Sequence, residues 1–380
     1  MRIIAFYLPQ FHAIPENDAW WGKGFTEWVN VRGAKPLFPG HYQPRVPLGG
    51  NYYCLLERDT LEWQIGLAKE YGVYGFCIYH YWFGGHKLLE KPLEMLRDDP
   101  GLNIPYCICW ANENWTNAWV ANKKVQTLIK QTYGDRADWE QHFDYLLSFF
   151  RDPNYIREDG KPLLVVYRPE LIDRLDEMLD YWNARALENG FPGIAYAYQS
   201  QTFMVREDSD DSRFAYGIEY QPGRARILME QQKSSPLQKG SDACIDLVRK
   251  VLLRIDRRFN TNLLLRASKV RLQFEEYDEL CRTIVEARPK DDKAVAGMFV
   301  GWDNTPRRQF RGRVCLHSTP EKFEYYLSRQ IENAKEHYKS DMLFLFAWNE
   351  WAEGGYLEPD EKYRFGYLEA IRSALEKTGL

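Results

Sequence analysis

The chain has 380 residues, 45% hydrophobic and 27% charged, which is the balance of an ordinary globular protein and excludes the disordered and fibrous classes. With 50 Lys and Arg against 54 Asp and Glu, the formal charge of −4 gives no global field toward nucleic acid or an acidic membrane surface, so no nucleic-acid partner is expected. No run reaches the ~18 consecutive apolar residues of a membrane span, so no integral membrane segment is expected either.

The first apolar run, residues 3–8, is too short for a signal-peptide core and lacks a small-residue cleavage site after it. It reads as a strand, and the chain as cytoplasmic. Strand-length apolar runs then recur at 74–79, 104–110, 163–167, 194–198, 217–220, 295–300 and 342–348. Amphipathic helical stretches alternate with them at 56–71, 88–97, 137–151, 171–188, 241–258, 277–287, 321–338 and 367–377. Eight strands alternating with helices predict either a parallel barrel or a doubly wound sheet. Five of the strands run into polar clusters, at 9–12, 80–82, 110–115, 302–304 and 348–353, and so distributed a pattern favours an α/β fold of the (β/α)8 barrel type. One catalytic domain over 1–380 is expected, with a helical insertion over 223–292 between the sixth and seventh strands. That insertion carries a basic run, Arg254 to Arg271, which reads as a solvated helix or as a patch for a phosphate or acidic glycan.

The seven cysteines are odd in number and mostly embedded in apolar runs, which fits reduced, buried thiols. Cys107 and Cys109 lack zinc-knuckle spacing, and no His-Glu-x-x-His, Gly-x-Ser-x-Gly or phosphate-loop motif occurs, so neither metal nor cofactor is expected. Asp208-Ser-Asp210 has the form of a metal-diphosphate motif but sits in an acidic run and reads better as a solvated loop.

The strongest chemical signal is Glu350 and Glu353, three residues apart in a stretch that contains Trp348, Trp351 and Gly354-Gly355. If the chain turns at Trp351 the two carboxylates share one face; in a straight strand they oppose. A retaining glycosidase needs such a pair at about 5 Å, an inverting one at about 6.5–9.5 Å. Close spacing also splits their proton affinities, leaving one as acid and one as base. In the second cluster Asn112, Glu113 and Asn114 suit vicinal hydroxyls, with Trp110 for stacking, although amides there also pin loops. A third cluster offers Trp302, Asp303 and Arg307, either as a sugar and anion site or as an internal ion pair. His80 and Tyr81, which follow the second strand, are candidates for binding substrate hydroxyls, although a lone histidine is as readily structural. The 13 Trp and 25 Tyr, many beside polar residues, fit a saccharide whose C–H faces stack and whose hydroxyls need partners.

Six blocks in order carry a resemblance to a known family: Ala5-Phe-Tyr-Leu-Pro-Gln-Phe-His12, Gly24-Phe-Thr-Glu-Trp28, Tyr79-His-Tyr-Trp82, Trp110-Ala-Asn-Glu-Asn-Trp115, Gly301-Trp-Asp-Asn-Thr-Pro-Arg307 and Trp348-Asn-Glu-Trp-Ala-Glu-Gly354. Over nearly its whole length the chain resembles the WbsX-like polysaccharide-biosynthesis proteins, whose barrel is similar to glycoside hydrolase family 99, the endo-α-mannosidases and endo-α-mannanases. The resemblance implies an oligo- or polysaccharide substrate. It makes Glu350 the base that deprotonates a sugar 2-hydroxyl and Glu353 the acid toward the leaving oxygen, in retaining cleavage of an α-linkage. It adds Tyr7, Trp28, Trp348, Asn349 and Trp351 to the substrate-binding candidates. Two positions depart from the pattern. Ala352 stands where the hydrolases usually carry His, and Thr116-Asn-Ala-Trp119-Val follows Trp115 where the WbsX-like group commonly has Arg-Arg-Trp-Asp-Gly. A glycosyltransferase of lipopolysaccharide or O-antigen assembly, and a glycan-binding barrel without turnover, stay open beside the hydrolase. The sequence leaves the oligomeric state open.

Overall fold

The eight apolar runs form eight parallel strands: β1 (Arg2–Tyr7), β2 (Gly75–Phe83), β3 (Tyr106–Trp110), β4 (Lys161–Val166), β5 (Ala195–Gln199), β6 (Tyr216–Ile218), β7 (Ala294–Phe299) and β8 (Met342–Phe346). A computed structural model of the chain describes residues 1–116, 126–200, 211–233 and 272–380. Each strand pairs with the next in chain order, and β8 closes on β1 with Ile4 opposite Phe344, giving a (β/α)8 barrel.

Among the described residues the α-helices, in chain order, are α1 (Pro15–Trp21), α2 (Glu27–Gly33), α3 (Arg58–Glu70), α4 (Lys91–Asp98), α5 (Arg136–Phe150), α6 (Leu175–Glu188), α7 (Gly223–Lys233), α8 (Tyr277–Glu286), α9 (Thr305–Arg308), α10 (Pro320–His337) and α11 (Gly366–Lys377). Their apolar residues recur every three or four positions and face the barrel, as Leu61, Ile65 and Ala68 of α3 do. The Asp135 side chain accepts from the Ala137 and Asp138 amides to start α5, and Thr319 with Pro320 starts α10 in the same manner. Helices α1, α2 and α9 are short and sit in the loops after β1 and β7, at the end of the barrel where the strands finish.

Alternation along each strand sorts side chains between the barrel interior and the helical layer. Phe6 faces in, against Tyr79, Tyr220 and Phe344, while Tyr7 faces out and donates to Gln64 of α3. Of the expected insertion, the described parts are α7, a strand Gln273–Glu276 paired in parallel with Arg313–Leu316, and α8. Helix α8 buries Tyr277, Leu280, Cys281, Ile284 and Val285 and packs on β7 and α10, so it serves as a barrel helix. The helix expected at 241–258, the basic run and Asp208-Ser-Asp210 lie outside the described residues. Among the described residues no helix is long and apolar enough to cross a membrane, and all six described cysteines are free thiols.

Close approach fixes some positions as glycine. A Cβ at Gly297 in β7 would stand 1.9 Å from the Glu219 carbonyl oxygen, and that backbone oxygen has no rotamer by which to move away. Gly297→Ala is therefore expected to destabilise the fold by at least about 1–3 kcal/mol. Urea unfolding checks it: an unchanged midpoint would contradict this contact.

Candidate functional site

At the end of β8 the chain makes the turn that the carboxylate spacing requires. Asn349–Glu350 pairs antiparallel with Gly355–Tyr356, and a single 3-10 turn, Trp351–Glu353, lies between them. Gly354 closes the turn at φ 66°, where a Cβ would meet the Asp303 amide at 2.8 Å; a Cβ on Gly355 would strike the Phe346 ring at 2.4 Å. Both glycines are thus required by space, and Gly354 also by conformation. Glu350 and Glu353 consequently line the same cavity, of about 320 Å³, within the about 300–1,000 Å³ usual for ligand sites.

One guanidinium holds the pair. Arg307 Nη1 donates to Glu353 Oε1 at 2.9 Å, and Nη2 lies 3.5 Å from Glu350 Oε2 and 3.0 Å from Glu27 Oε2. All four side chains are nearly buried. Glu350 Oε2 has no hydrogen-bond partner among the described residues. Burial pushes the Glu350 carboxyl up to about 8; Arg307 opposes the rise, and the neighbouring charges of Glu353 and Glu27 reinforce it. At neutral pH the pair therefore retains a proton.

Around the carboxylates the cavity wall comes from several strand ends: Tyr79 and Tyr81 of β2, Tyr167 after β4, Tyr220 after β6 and Trp302 after β7. Trp302 lies beneath Arg226, whose guanidinium sits 4.8 Å from the ring centroid and is held by a bidentate bond to Glu275, Nε to Oε1 and Nη2 to Oε2. Glu113 and Asn114 also line the cavity. Glu113 is paired with Arg168, and the Asn114 side-chain oxygen accepts from the Gln131 amide. Of the residues singled out from the sequence, the structure thus brings Glu350, Glu353, Arg307, Tyr81, Glu113, Asn114 and Trp302 to one opening.

The other candidates face elsewhere. His80 and Trp110 lie on the outward face of β2 and β3: His80 contacts His142 at 3.0 Å, and Trp110 packs edge-on to His142 and against Trp182. Burial lowers His80 to about 3, so it is neutral and belongs to the core. Asn112 pins the loop after β4, exchanging hydrogen bonds with both backbone groups of Arg168. Asn349 does the same with Leu8. Tyr7, Trp28, Trp348 and Trp351 form an aromatic backing behind the turn. The Trp348 and Trp351 indoles donate to the buried Glu358, Tyr53 donates to it as well, and Trp28 donates to the Tyr53 carbonyl while packing on Trp351. Asp303 is also withdrawn from the cavity: it binds His41, Gln43 and Thr305, and its own amide donates to the Glu353 carbonyl at 2.6 Å. Burial opposes its ionisation, but those bonds and the Arg45 charge hold its carboxyl at about 2. These residues shape the site without lining it.

Sequence reasoning passed over Glu27, Tyr79, Tyr167, Tyr220 and Arg226. Two signals were available: Glu27 precedes Trp28 and Tyr79 precedes His80 inside recognised blocks, and Tyr167 and Tyr220 follow strands directly. Arg226 sits on α7 with no local motif to mark it.

Comparison with known proteins agrees with this architecture. The chain is similar in structure to an endo-α-mannosidase of glycoside hydrolase family 99 from Bacteroides thetaiotaomicron, with a TM-score of 0.55 at 13% identity, covering 100% of this chain and 97% of the other. It is similar also to a glycoside hydrolase-like protein, with a TM-score of 0.54 at 12% identity, covering 98% and 93%. In sequence it is 37% identical over 378 residues to the uncharacterised protein WxcX of Xanthomonas campestris pv. campestris, a match that takes in 99% of this chain. The chain spans about half the length, 50%, of that relative. The family model described as glycosyltransferase WbsX matches residues 3–371, and with the resemblance of the six blocks this establishes that the chain belongs to the WbsX glycosyltransferase family.

Proposed function

We propose that the chain is a glycan-active enzyme that breaks an α-glycosidic bond with retention, using Glu350 and Glu353 as its acid–base pair. The observation that carries the reading is one buried guanidinium, Arg307, gripping both carboxylates at the base of a cavity walled by tyrosines, tryptophans and amides. With substrate seated, the pair's one proton passes from Glu350 to Glu353; in the first step Glu350 then takes the proton of the sugar 2-hydroxyl, O2 attacks C1, and the C1–O bond breaks as Glu353 gives its proton to the leaving oxygen. In the second, Glu353 takes a proton from water, the water oxygen opens the C1–O2 bond, and Glu350 returns its proton to O2. Each half consumes and regenerates one proton shared by the pair, whose titration belongs to both groups together. Mannose configuration is the specific form we infer, by analogy with the family 99 hydrolases.

Glycosyl transfer in surface-polysaccharide assembly is the second reading. Its support is the family's description together with Arg226 and Arg308 in the cavity wall, cations suited to a phosphorylated donor. Incubating the protein with a glycan panel, with and without sugar nucleotides, separates the two readings. Free reducing sugar without a nucleotide supports hydrolysis, and product that forms only with a nucleotide replaces it by transfer.

Glu350→Gln and Glu353→Gln should each lower turnover at least about 100-fold, the usual worth of a general acid or base, with the circular dichroism spectrum unchanged. Full activity in either variant would remove the pair from the mechanism.

The pH profile follows from the proton held at Glu350. The folded-state value, raised to about 8, means that the protonated pair exists below that pH and is lost above it. We therefore expect kcat/KM to fall as pH rises through about 8. A rate that climbs through the same region would contradict the one-proton scheme.

The two tryptophans separate binding from folding. Trp302→Ala should raise KM with little change in Tm, whereas Trp110→Ala, which empties a core position, should cost about 3–5 kcal/mol of stability. The reverse pattern would mean that Trp302 is structural.

A further inference from the structure

The cavity has a second wall that the carboxylate chemistry does not use. It is built by α1 and the turn after it. Asp18 accepts from the Gly24 amide at 2.8 Å and from the Phe25 amide, which folds the chain back so that Phe25 lies beside Trp21 with centroids 5.8 Å apart. Gly22 and Gly24 take the positive φ angles, 107° and 79°, that this reversal needs. The turn is tied to the end of β1 by the Glu27 amide, which donates to the Gln10 carbonyl. Trp115 faces this side of the cavity, edge-on to Tyr81.

Asn17 projects from this wall. It is 1% exposed and lines the cavity, and neither its side-chain oxygen nor its nitrogen has a hydrogen-bond partner among the described residues. A buried amide with both groups unmet is destabilising, and such groups in native folds call for an explanation. Leucine would fill the same volume without that penalty.

We infer that Asn17 reads a vicinal pair of hydroxyls on a sugar unit seated against Trp21 and Phe25, in the wall of the cavity built by α1 and the turn after it. The carboxamide presents one acceptor and one donor side by side, which matches two adjacent hydroxyls, one giving and one receiving a hydrogen bond. The flanking rings supply the apolar face that such a sugar stacks on, and Gln10 and Asn30 in the same wall add further polar groups. The inference rests on the glycan reading above and deepens it: the substrate contributes a second sugar unit, and the configuration of its diol decides acceptance. A site built to bond hydroxyls rejects a sugar that lacks them far more strongly than an apolar pocket does.

The test is calorimetric titration of α-linked trisaccharides that differ in the configuration of one hydroxyl, with their deoxy analogues, into the Glu353→Gln protein, where turnover does not interfere. The same series is run with Asn17→Leu and Asn17→Asp added. We expect the best-bound trisaccharide to lose at least tenfold in affinity with Asn17→Leu, and preference among diol configurations to collapse. Tm should hold or rise, since an unmet amide has been removed. Asn17→Asp, which keeps the volume and the acceptor, should lose less and carries the test if the leucine variant does not fold. Undiminished affinity in both variants, or an affinity loss that only tracks a fall in Tm, overturns the assignment while leaving the glycan reading intact. If no trisaccharide binds even with Asn17 present, the glycan reading falls and this inference with it.

Discussion

One cation facing three carboxyl groups, all withdrawn from water, is the constraint around which the site is organised. A buried charge is tolerated only when paired, and Arg307 cannot pair fully with Glu27, Glu350 and Glu353 at once. The shortfall appears at Glu350, whose nearest guanidinium nitrogen is the most distant of the three and whose carboxyl keeps its proton. The position of Arg307 is itself held from behind. Asp303 anchors the loop after β7, and its amide bond to the Glu353 carbonyl ties that loop to the turn after β8. Cation and carboxyl pair are thereby locked together through backbone rather than through side chains alone.

The fold was legible because the strands of a parallel barrel are short, apolar and regularly spaced, and all eight were readable as runs in the sequence. The same property hid which residues face the cavity. Strands buried on both faces show no polar alternation, so pattern does not distinguish inward from outward. The sequence points to His80 and Trp110 as site residues, yet both pack toward α5 and α6, while Tyr79 and Tyr81, on either side of His80, open onto the cavity. Glu350 and Glu353 escaped this ambiguity because they lie beyond the strand, where Gly354-Gly355 announces a turn.

The tryptophans teach a related lesson. Trp348 and Trp351 stand beside Glu350 and Glu353 in sequence and suggest stacking surfaces for a sugar. Their indole N–H groups are committed instead to Glu358, which also accepts from Tyr53 and Gln64. Burial raises the Glu358 carboxyl to about 7 even with these four donors opposing the rise. Four neutral donors converging on one carboxylate make a rigid backing for the turn without bringing a second cation near the pair. Nothing in the Leu-Glu-Pro-Asp context of Glu358 announced that role, since its donors are separated from it by up to 305 residues.

The cavity is bounded on one side by the segment that follows β1 and on the other by α7 and the loop after β7. These two jaws are rooted in different strand ends, and neither carries Glu350 or Glu353. Each is nonetheless tied to the turn after β8, the first through Glu27 to Arg307 and the second through the Asp303 amide, so only their outer parts, Trp21 to Phe25 and α7, stand clear of those ties. Such a division lets the outer walls of a single barrel differ, one jaw at a time, while the carboxylate turn between them is kept.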